Sequence, residues 1–338
     1  MNLPVGGATV LAMILFFRPK AHAHVSRTFL DRVFDLDMIG NAIILGASVM
    51  LFLALEYTTI GHSWGSALII GLLCGFGVAA VLFVAWQWWK QDGALIPPSI
   101  ATQRTVAASC AMAFTTYGAL LVITYFLPIW FQAIRDDSAI RSGINMIPFF
   151  VVNAFFSLLA GVFVSVIGYY TPPAIVGSAL GTAGCGVLTL LSQETSTVQW
   201  VGYEILVSAG FGLSIQQGFT AVQAALGADD MAVGTAAVVA SQSLGGAVFL
   251  SVGNSVFQSQ LQKASDADAL PGVDIQEVIN AGAASFRTVV SADQLPALLE
   301  VYNRALQLVL TVAIPLGGLA LVACCCMEWR SVKIKQTK

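Results

Sequence analysis

Charge is what this sequence has least of. Only 15 basic and 18 acidic side chains occur in 338 residues, 10% of the chain where soluble domains carry roughly 25%. So few charges cannot cover the surface of a soluble fold of this size. With 57% hydrophobic residues and a mean hydropathy of +0.81 over the whole chain, the apolar excess is not confined to one anchor. The bilayer is therefore the expected solvent for most of it. A net charge of -3 with dispersed basic residues gives no electrostatic footprint for nucleic acid. Histidine is nearly missing, at three residues, and there is no cysteine–histidine cluster, H-E-x-x-H string or Walker loop. Metal hydrolysis and ATP-driven transport thus lack residues to carry them, and no cofactor or metal is expected. The six cysteines, at 74, 110, 185, 324, 325 and 326, all sit in apolar stretches, so neither a disulfide framework nor a metal spacing is indicated. Asn-x-Ser/Thr sequons are also missing, so no glycan marks a side of the membrane.

What is abundant is apolar runs of about 20 residues bounded by charge or turn residues. They predict an all-α polytopic membrane protein of about nine transmembrane helices, at 1–17, 38–58, 67–86, 105–131, 144–168, 173–191, 198–218, 234–257 and 305–327. The first is the weakest, because its continuous apolar part starts only at Val5. It has neither a basic n-region nor a small-residue cleavage site, which argues against a signal peptide. Basic residues set the orientation. Arg18, Lys20, Arg27, Arg32, Lys90, Arg104, Arg330, Lys333, Lys335 and Lys338 fall on one side, and Arg135, Arg141, Lys263, Arg287 and Arg304 on the other. The first side, which holds the C-terminus, is expected to be cytoplasmic. All seven tryptophans lie at or near span ends, as indole at the headgroup level would. Two connections are long. Residues 18–37 are basic and amphipathic and would lie along the cytoplasmic interface. Residues 258–304, with Pro271, Pro296 and a periodicity through Val273, Ile275, Val278 and Ile279, predict short helices outside the membrane.

The string Gly61-His62-Ser63-Trp64-Gly65 fits a nucleophile elbow, but that motif needs a strand-to-helix turn and a converging histidine and acid. After a membrane helix it reads better as a small-residue turn with an interfacial tryptophan; a hydrolase using Ser63 is the competing reading. Ionisable groups within spans are costly and functional by default. Glu56 is near the end of its helix and is expected to reach the headgroups. Glu204 lies deeper, and either couples protonation to exposure on one side or is a structural glutamate bonded to a neighbouring helix. Thr115, Thr116, Tyr117, Thr124 and Tyr125 in one span, and Tyr203, Ser208, Ser214, Gln216 and Gln217 in another, predict cavity-lining helices. The spans at 173–191 and 305–327 are expected to face lipid. Gly71-xxx-Gly75 and Gly177-xxx-Gly181 predict close helix contacts. Pro128, Pro148 and Pro315 are candidate kinks, and Cys324-Cys325-Cys326 reads as an apolar helix end or an acylation site.

Taken together, these strings resemble a known family. Asn2-Leu3-Pro4-Val5-Gly6-Gly7 is similar to the string opening the sixth helix of the 14-spanning drug:proton antiporters of the major facilitator superfamily. Ala94-Leu95-Ile96-Pro97, Tyr125-Phe126-Leu127-Pro128-Ile129-Trp130-Phe131-Gln132-Ala133, Ser142-Gly143, Gly202-Tyr203-Glu204-Ile205-Leu206, Gln216-Gln217, Gly234-Thr235-Ala236, Gly245-Gly246 and Tyr302-Asn303-Arg304-Ala305 follow in family order. The fungal members are the most similar. The resemblance implies that the chain corresponds to helices six to fourteen. Residues 1–17 would be a remnant last helix of the N-terminal bundle, 18–37 a cytoplasmic linker, and 38–104 two extra central helices. Residues 105–327 would form the C-terminal six-helix bundle, with 258–304 an extracellular loop inside it, and 328–338 a cytoplasmic tail. The first five helices of the fold, and with them most of the N-terminal bundle, would be missing.

The implied function is proton-coupled efflux of small apolar or amphipathic molecules such as drugs, toxins or secondary metabolites, from a plasma-membrane location. The proton gradient would be the energy source, and the partners the bilayer and the small-molecule substrate. Glu204 is the proton-coupling candidate, and Tyr117, Gln216, Gln217 and Gln242 are the expected cavity contacts. The alternative is a non-transporting membrane partner protein or an inactive gene fragment.

Overall fold

The computed structural model describes residues 2–16, 37–59, 62–266, 275–282, 286–288, 290–291 and 293–333. The amphipathic linker expected at 18–37 lies almost entirely outside these residues. The described secondary structure is helical apart from one isolated bridge between Tyr169 and Ser331. The chain divides into two units, Met1–Met38 and Ile39–Lys338. The first holds α1 (Asn2–Phe16), whose 15 residues span about 22 Å, short of a roughly 30 Å hydrocarbon core.

The second unit holds α2 (Met38–Thr59), α3 (Ala67–Lys90), α4 (Arg104–Ala133), α5 (Ile147–Ile167), α6 (Thr171–Leu188), α7 (Thr197–Ser214), α8 (Gln217–Ala225), α9 (Met231–Asp266), α10 (Leu295–Thr311) and α11 (Ala313–Cys326). Where nine spans were expected, the described residues hold seven long and apolar enough to cross a bilayer, counting α7–α8 and α10–α11 as one each. The other two are α1, which is too short, and α6. In α6 the prolines at 172 and 173 and four glycines dilute the hydropathy of an 18-residue helix.

Small residues explain where α6 goes. Gly177, Gly181, Gly184 and Cys185 are buried, and Gly181 and Gly184 lie against Gly210 and Val207 of α7. One face of this span is therefore packed, while Val176 and Leu190 remain exposed on the other. α11 packs against α4 and α6 on one side and leaves Leu319 and Val322 exposed on the other. The helices at the centre are α4 and the α7–α8 pair, whose most apolar windows are each 61% buried. α4 packs on α9, α11 and α8, and α7 on α6 and α5.

Aromatic rings fill one end of the bundle. Trp130, Phe131 and Trp200 interlock edge to face, and Tyr302 stacks on Phe286 at 4.8 Å. Trp130 and Trp200 are thus buried and do not face headgroups, unlike Trp64, Trp88, Trp89 and Trp329. Part of the 258–304 connection covers them. α9 continues past the expected end at 257 to Asp266, and α10 begins at Leu295 and not near 305. Between them stand a short helix, Ile275–Ala281, and a single turn, Phe286–Thr288. Arg287 fastens this segment to α4, donating through Nη2 to the Ala133 carbonyl at 2.9 Å.

At the opposite end, residues 328–333 form no free tail. Thr105 donates to Glu328 Oε2 at 3.0 Å and the Val332 amide to Gly168 O at 2.8 Å, while Tyr170 donates to the Glu328 carbonyl. Arg104 Nε donates to Cys326 O at 2.7 Å, so the strap ties the ends of α4, α5, α6 and α11 together.

Candidate functional site

A Ser-x-x-Gln box starts α7. The Ser196 hydroxyl accepts from the Gln199 amide, and the Gln199 side chain accepts from the Ser196 amide at 2.8 Å. Trp200 follows one turn later and Glu204 one turn after that, so both face the same neighbours. Glu204 is completely buried, and neither carboxyl oxygen has a hydrogen-bond partner in proper geometry. The backbone of Phe149, in the first turn of α5, lies beside the carboxyl. Amides in a helix's first turn lack intrahelical acceptors and carry its positive end. Neither α5 nor α6, the helices against α7, contributes a charged side chain. Ser208 donates to the Glu204 carbonyl at 2.5 Å, and Asn153 of α5 donates to Ser208 O at 3.4 Å, so the turn that follows the acid is tied to α5.

Farther along, the helix passes through a two-residue turn that keeps right-handed helical dihedrals. Ile215 and Gln216 are turn residues between α7 and α8, with neither proline nor glycine in the turn. The side-chain amide of Gln217 donates to Leu213 O at 3.1 Å, satisfying a carbonyl that would otherwise stand unpaired in an apolar environment. Gln217 Oε1 is buried without a partner. Gln216 and Gln217 line a cleft of about 550 Å³ together with Ser157, Gly161 and Ser165 of α5, Thr220 of α8, and Lys333 of the strap. That volume lies within the 300–1,000 Å³ range of small-molecule sites. Lys333 also donates to the Val166 carbonyl at the end of α5.

The expected site residues therefore occupy three places. Gln216 and Gln217 share the cleft. Glu204 is on the same helical column, about 18 Å away at 1.5 Å per residue. Tyr117 and Gln242, both half-buried, belong to the α4–α9 seam and do not border the cleft. There the Tyr117 ring lies against Gly246, and a Cβ on the neighbouring Gly245 would fall 2.0 Å from Phe114 O. The hydroxyls expected to mark cavity walls mostly bond to their own helix instead. Thr115 donates to Ala111 O, Thr124 to Leu120 O and Ser214 to Gly210 O.

Ser157, Gly161 and Ser165 went unrecognised in the sequence, although their spacing of four places them on one face of α5. Lys333 could not have been found without the tertiary path of the strap. Ser63 accepts from the Gly65 amide at 3.2 Å in the turn after α2, and His62 packs edge-on against Tyr57.

Over 336 residues, 99% of the chain, the sequence is 37% identical to the MFS-type transporter astH of Aspergillus oryzae, and the match covers 59% of that protein. It is 37% identical over 334 residues to the efflux pump roqT of Penicillium rubens, covering 98% of the chain and 62% of the relative. With the efflux pump aflT of Aspergillus parasiticus the identity is 34% over 334 residues, covering 98% of the chain and 65% of the relative. No family model matches the chain. The chain spans about three fifths of the length of the curated relatives it matches. Along nearly its whole length the chain is thus similar to fungal MFS-type transporters, and its many-spanning helical fold is that of an integral membrane protein.

Proposed function

We propose that the chain forms the larger part of a proton-coupled exporter of small apolar or amphipathic molecules, acting at the plasma membrane with its C-terminus in the cytoplasm. The observation that carries this reading is Glu204, a wholly enclosed carboxyl group with two unpartnered oxygens on the helix whose other end opens into the Gln216–Gln217 cleft. An ionised carboxylate without hydrogen bonds is among the costliest groups to enclose. A proton carried there neutralises it, and release requires a conformation in which water reaches the site. The turn at Ile215–Gln216, between acid and cleft, leaves the Leu213 carbonyl to the Gln217 side chain, and backbone groups freed in this way are the usual material of transporter sites. The relatives' names, efflux pump and MFS-type transporter, support the export direction.

Alternating access needs two bundles moving about a common site, so the proposed activity includes an N-terminal bundle such as the longer relatives have room for. The test is flux of a lipophilic dye in proteoliposomes under an imposed pH gradient, with this chain and with a form of the relatives' length. Gradient-driven flux in the longer form is expected. Flux equal to that of empty liposomes in both would overturn the transport reading. Replacing Glu204 by Gln should abolish the pH dependence of flux, and unchanged coupling would remove this residue from the mechanism. The alternative, a non-transporting membrane partner, predicts no flux from either form.

A further inference from the structure

A second, drier cavity lies over the first three turns of α4. It is an open trough of about 840 Å³, with Ala107, Ala108 and Ala111 of α4 as its floor, Ser241 of α9 on one side, and Leu319 and Val322 of α11 on the other. The side helices diverge here, because α9 packs on to α10 and α11 on to α6. Alanine keeps the floor low: Ala107 and Ala111, one turn apart, are exposed although α9 and α11 both pack on α4. Phe114, edge-on to Phe249 of α9 at 5.4 Å, bounds the inner end, and Arg104 and Cys326 stand at the mouth. None of these residues borders the Gln216–Gln217 cleft.

The wall offers a ligand no free hydroxyl donor. Thr115 donates to Ala111 O at 2.8 Å and Ser241 to Ala237 O at 2.9 Å, so both are satisfied within their own helices. With Leu319 and Val322 exposed, the trough opens sideways to whatever surrounds a membrane-spanning helix, which is hydrocarbon. From Arg104 to Thr115 it runs about 16 Å at 1.5 Å per residue, half of a roughly 30 Å hydrocarbon core and so the depth of one leaflet. An acyl chain matches that length and dryness.

Charge enters only at the mouth, and it is positive. Arg104 is the one charged residue along the trough among the described residues. Its Nε donates to Cys326 O at 2.7 Å, which fixes the guanidinium in place, and it pairs with no carboxylate among the described residues. Glu328, whose charge it feels, is bridged by Arg330 at 2.6 Å and bonded by Thr105. No side chain caps α4, so its first-turn amides present the helix's positive end at the same place. A guanidinium fork at this point suits a phosphate, and basic pockets between spans are where anionic headgroups settle.

We propose that the trough between α4, α9 and α11 is a specific site for an anionic phospholipid, which sets its phosphate on Arg104 and lays one acyl chain over Ala107 and Ala111 toward Phe114. The bound headgroup braces the Arg104–Cys326 link that holds the strap to α4. The site uses neither Glu204 nor the Gln216–Gln217 cleft, and it stands or falls independently of the transport reading.

The experiment is native mass spectrometry of the purified full chain in detergent, offered phosphatidylserine or phosphatidylcholine with identical acyl chains. One phosphatidylserine per chain is expected, preferred about fivefold over phosphatidylcholine, as one basic side chain at a membrane surface would give. Arg104→Gln should lose the preference, and Arg104→Lys, which keeps the charge, should keep part of it. Ala111→Trp fills the trough from an exposed position and leaves the charge alone; it should abolish binding and covers the case in which Arg104→Gln does not fold. Leu158→Trp, on the exposed face of α5, should bind as the parent does, and excess inorganic phosphate should not displace the lipid. The proposal is overturned by equal retention of the two lipids in the parent, by an unchanged preference in folded Arg104→Gln, or by unchanged binding in Ala111→Trp. Displacement by phosphate would also overturn it, since the site would then be one for a free anion.

Discussion

A Cβ added to Gly210 would lie 2.1 Å from the amide nitrogen of Gly181, so α6 and α7 meet backbone to backbone at this pair. Inside a membrane, where lipid competes with any apolar surface, such close approach is what holds helices together. Gly210→Ala must push α6 outward and is expected to cost about 1–3 kcal/mol, as overpacked interiors do. Gly202 on the same helix has nothing within 4 Å of a Cβ, so Gly202→Ala should be neutral or slightly stabilising through helix propensity. Thermal unfolding in detergent separates the two, and equal midpoints would show that the contact carries no energy.

That contact was half legible in the sequence, where Gly177-xxx-Gly181 marked one partner. Most spans were legible for a simple reason: an apolar run must end where charge or a turn begins, as at Arg104 and Lys90. The turn at Ile215–Gln216 was not, because neither residue is a helix breaker and its compensation, Gln217 reaching back to Leu213 O, is a tertiary arrangement. The extension of α9 through Gln258, Ser259, Gln260 and Gln262 was missed because these residues are helical without being apolar. Trp130 and Trp200 were placed at span ends correctly, but their burial depends on Phe286 and Val278, which hydropathy cannot bring over them. Within the candidate site, Glu204 stood out as a charge in an apolar run. Its separation from Gln216 and Gln217 along the column, and the presence of Lys333 in their cleft, required the fold.

Trp130 and Asn303 make the second test. The indole Nε1 donates to Asn303 Oδ1 at 2.9 Å, and Asn303 Nδ2 donates to Leu191 O at 3.3 Å, joining α4, α10 and the end of α6. Asn303→Leu leaves the buried indole N–H without its acceptor, a loss of about 1–3 kcal/mol. Leu191 O keeps its bond from Gln307 at 2.6 Å, so the penalty should come from the tryptophan. Adding Trp130→Phe to Asn303→Leu should then recover part of the lost stability. A double mutant no more stable than Asn303→Leu would assign the cost elsewhere.

Glu328 gives the strap a pH dependence. The Thr105 hydroxyl bond, opposed by desolvation and reinforced by Arg330 and Arg104, holds its carboxyl below the ordinary value of 4.5. A carboxylate with a depressed folded value stabilises fully above its unfolded value and loses that contribution as pH falls through the folded one. Hydrogen exchange at the Val332 amide, bonded to Gly168 O, reads the strap directly. Corrected for intrinsic rates, its protection should be constant above about pH 5 and fall several-fold as pH drops below 4.5. In Glu328→Gln the protection should already be reduced at neutral pH and insensitive to acid. Identical profiles in parent and variant would detach Glu328 from the strap's stability.

The last prediction sets stability against function at Glu204. Two enclosed oxygens without partners burden the folded state, since an unsatisfied buried polar group costs about 1–3 kcal/mol, and replacement by an apolar residue of similar volume is often stabilising. Glu204→Leu should therefore raise the unfolding midpoint of the purified chain. Glu204→Gln, which keeps polar atoms in the same enclosure, should not. If the acid is the proton carrier, both variants lose pH-dependent flux in the longer form, so the more stable protein is an inactive one, as expected where a functional group is kept at the expense of the fold. A Glu204→Leu protein less stable than the parent would mean that the carboxyl is bonded to Phe149 or another group after all, and that its role is to hold α5 and α7 together.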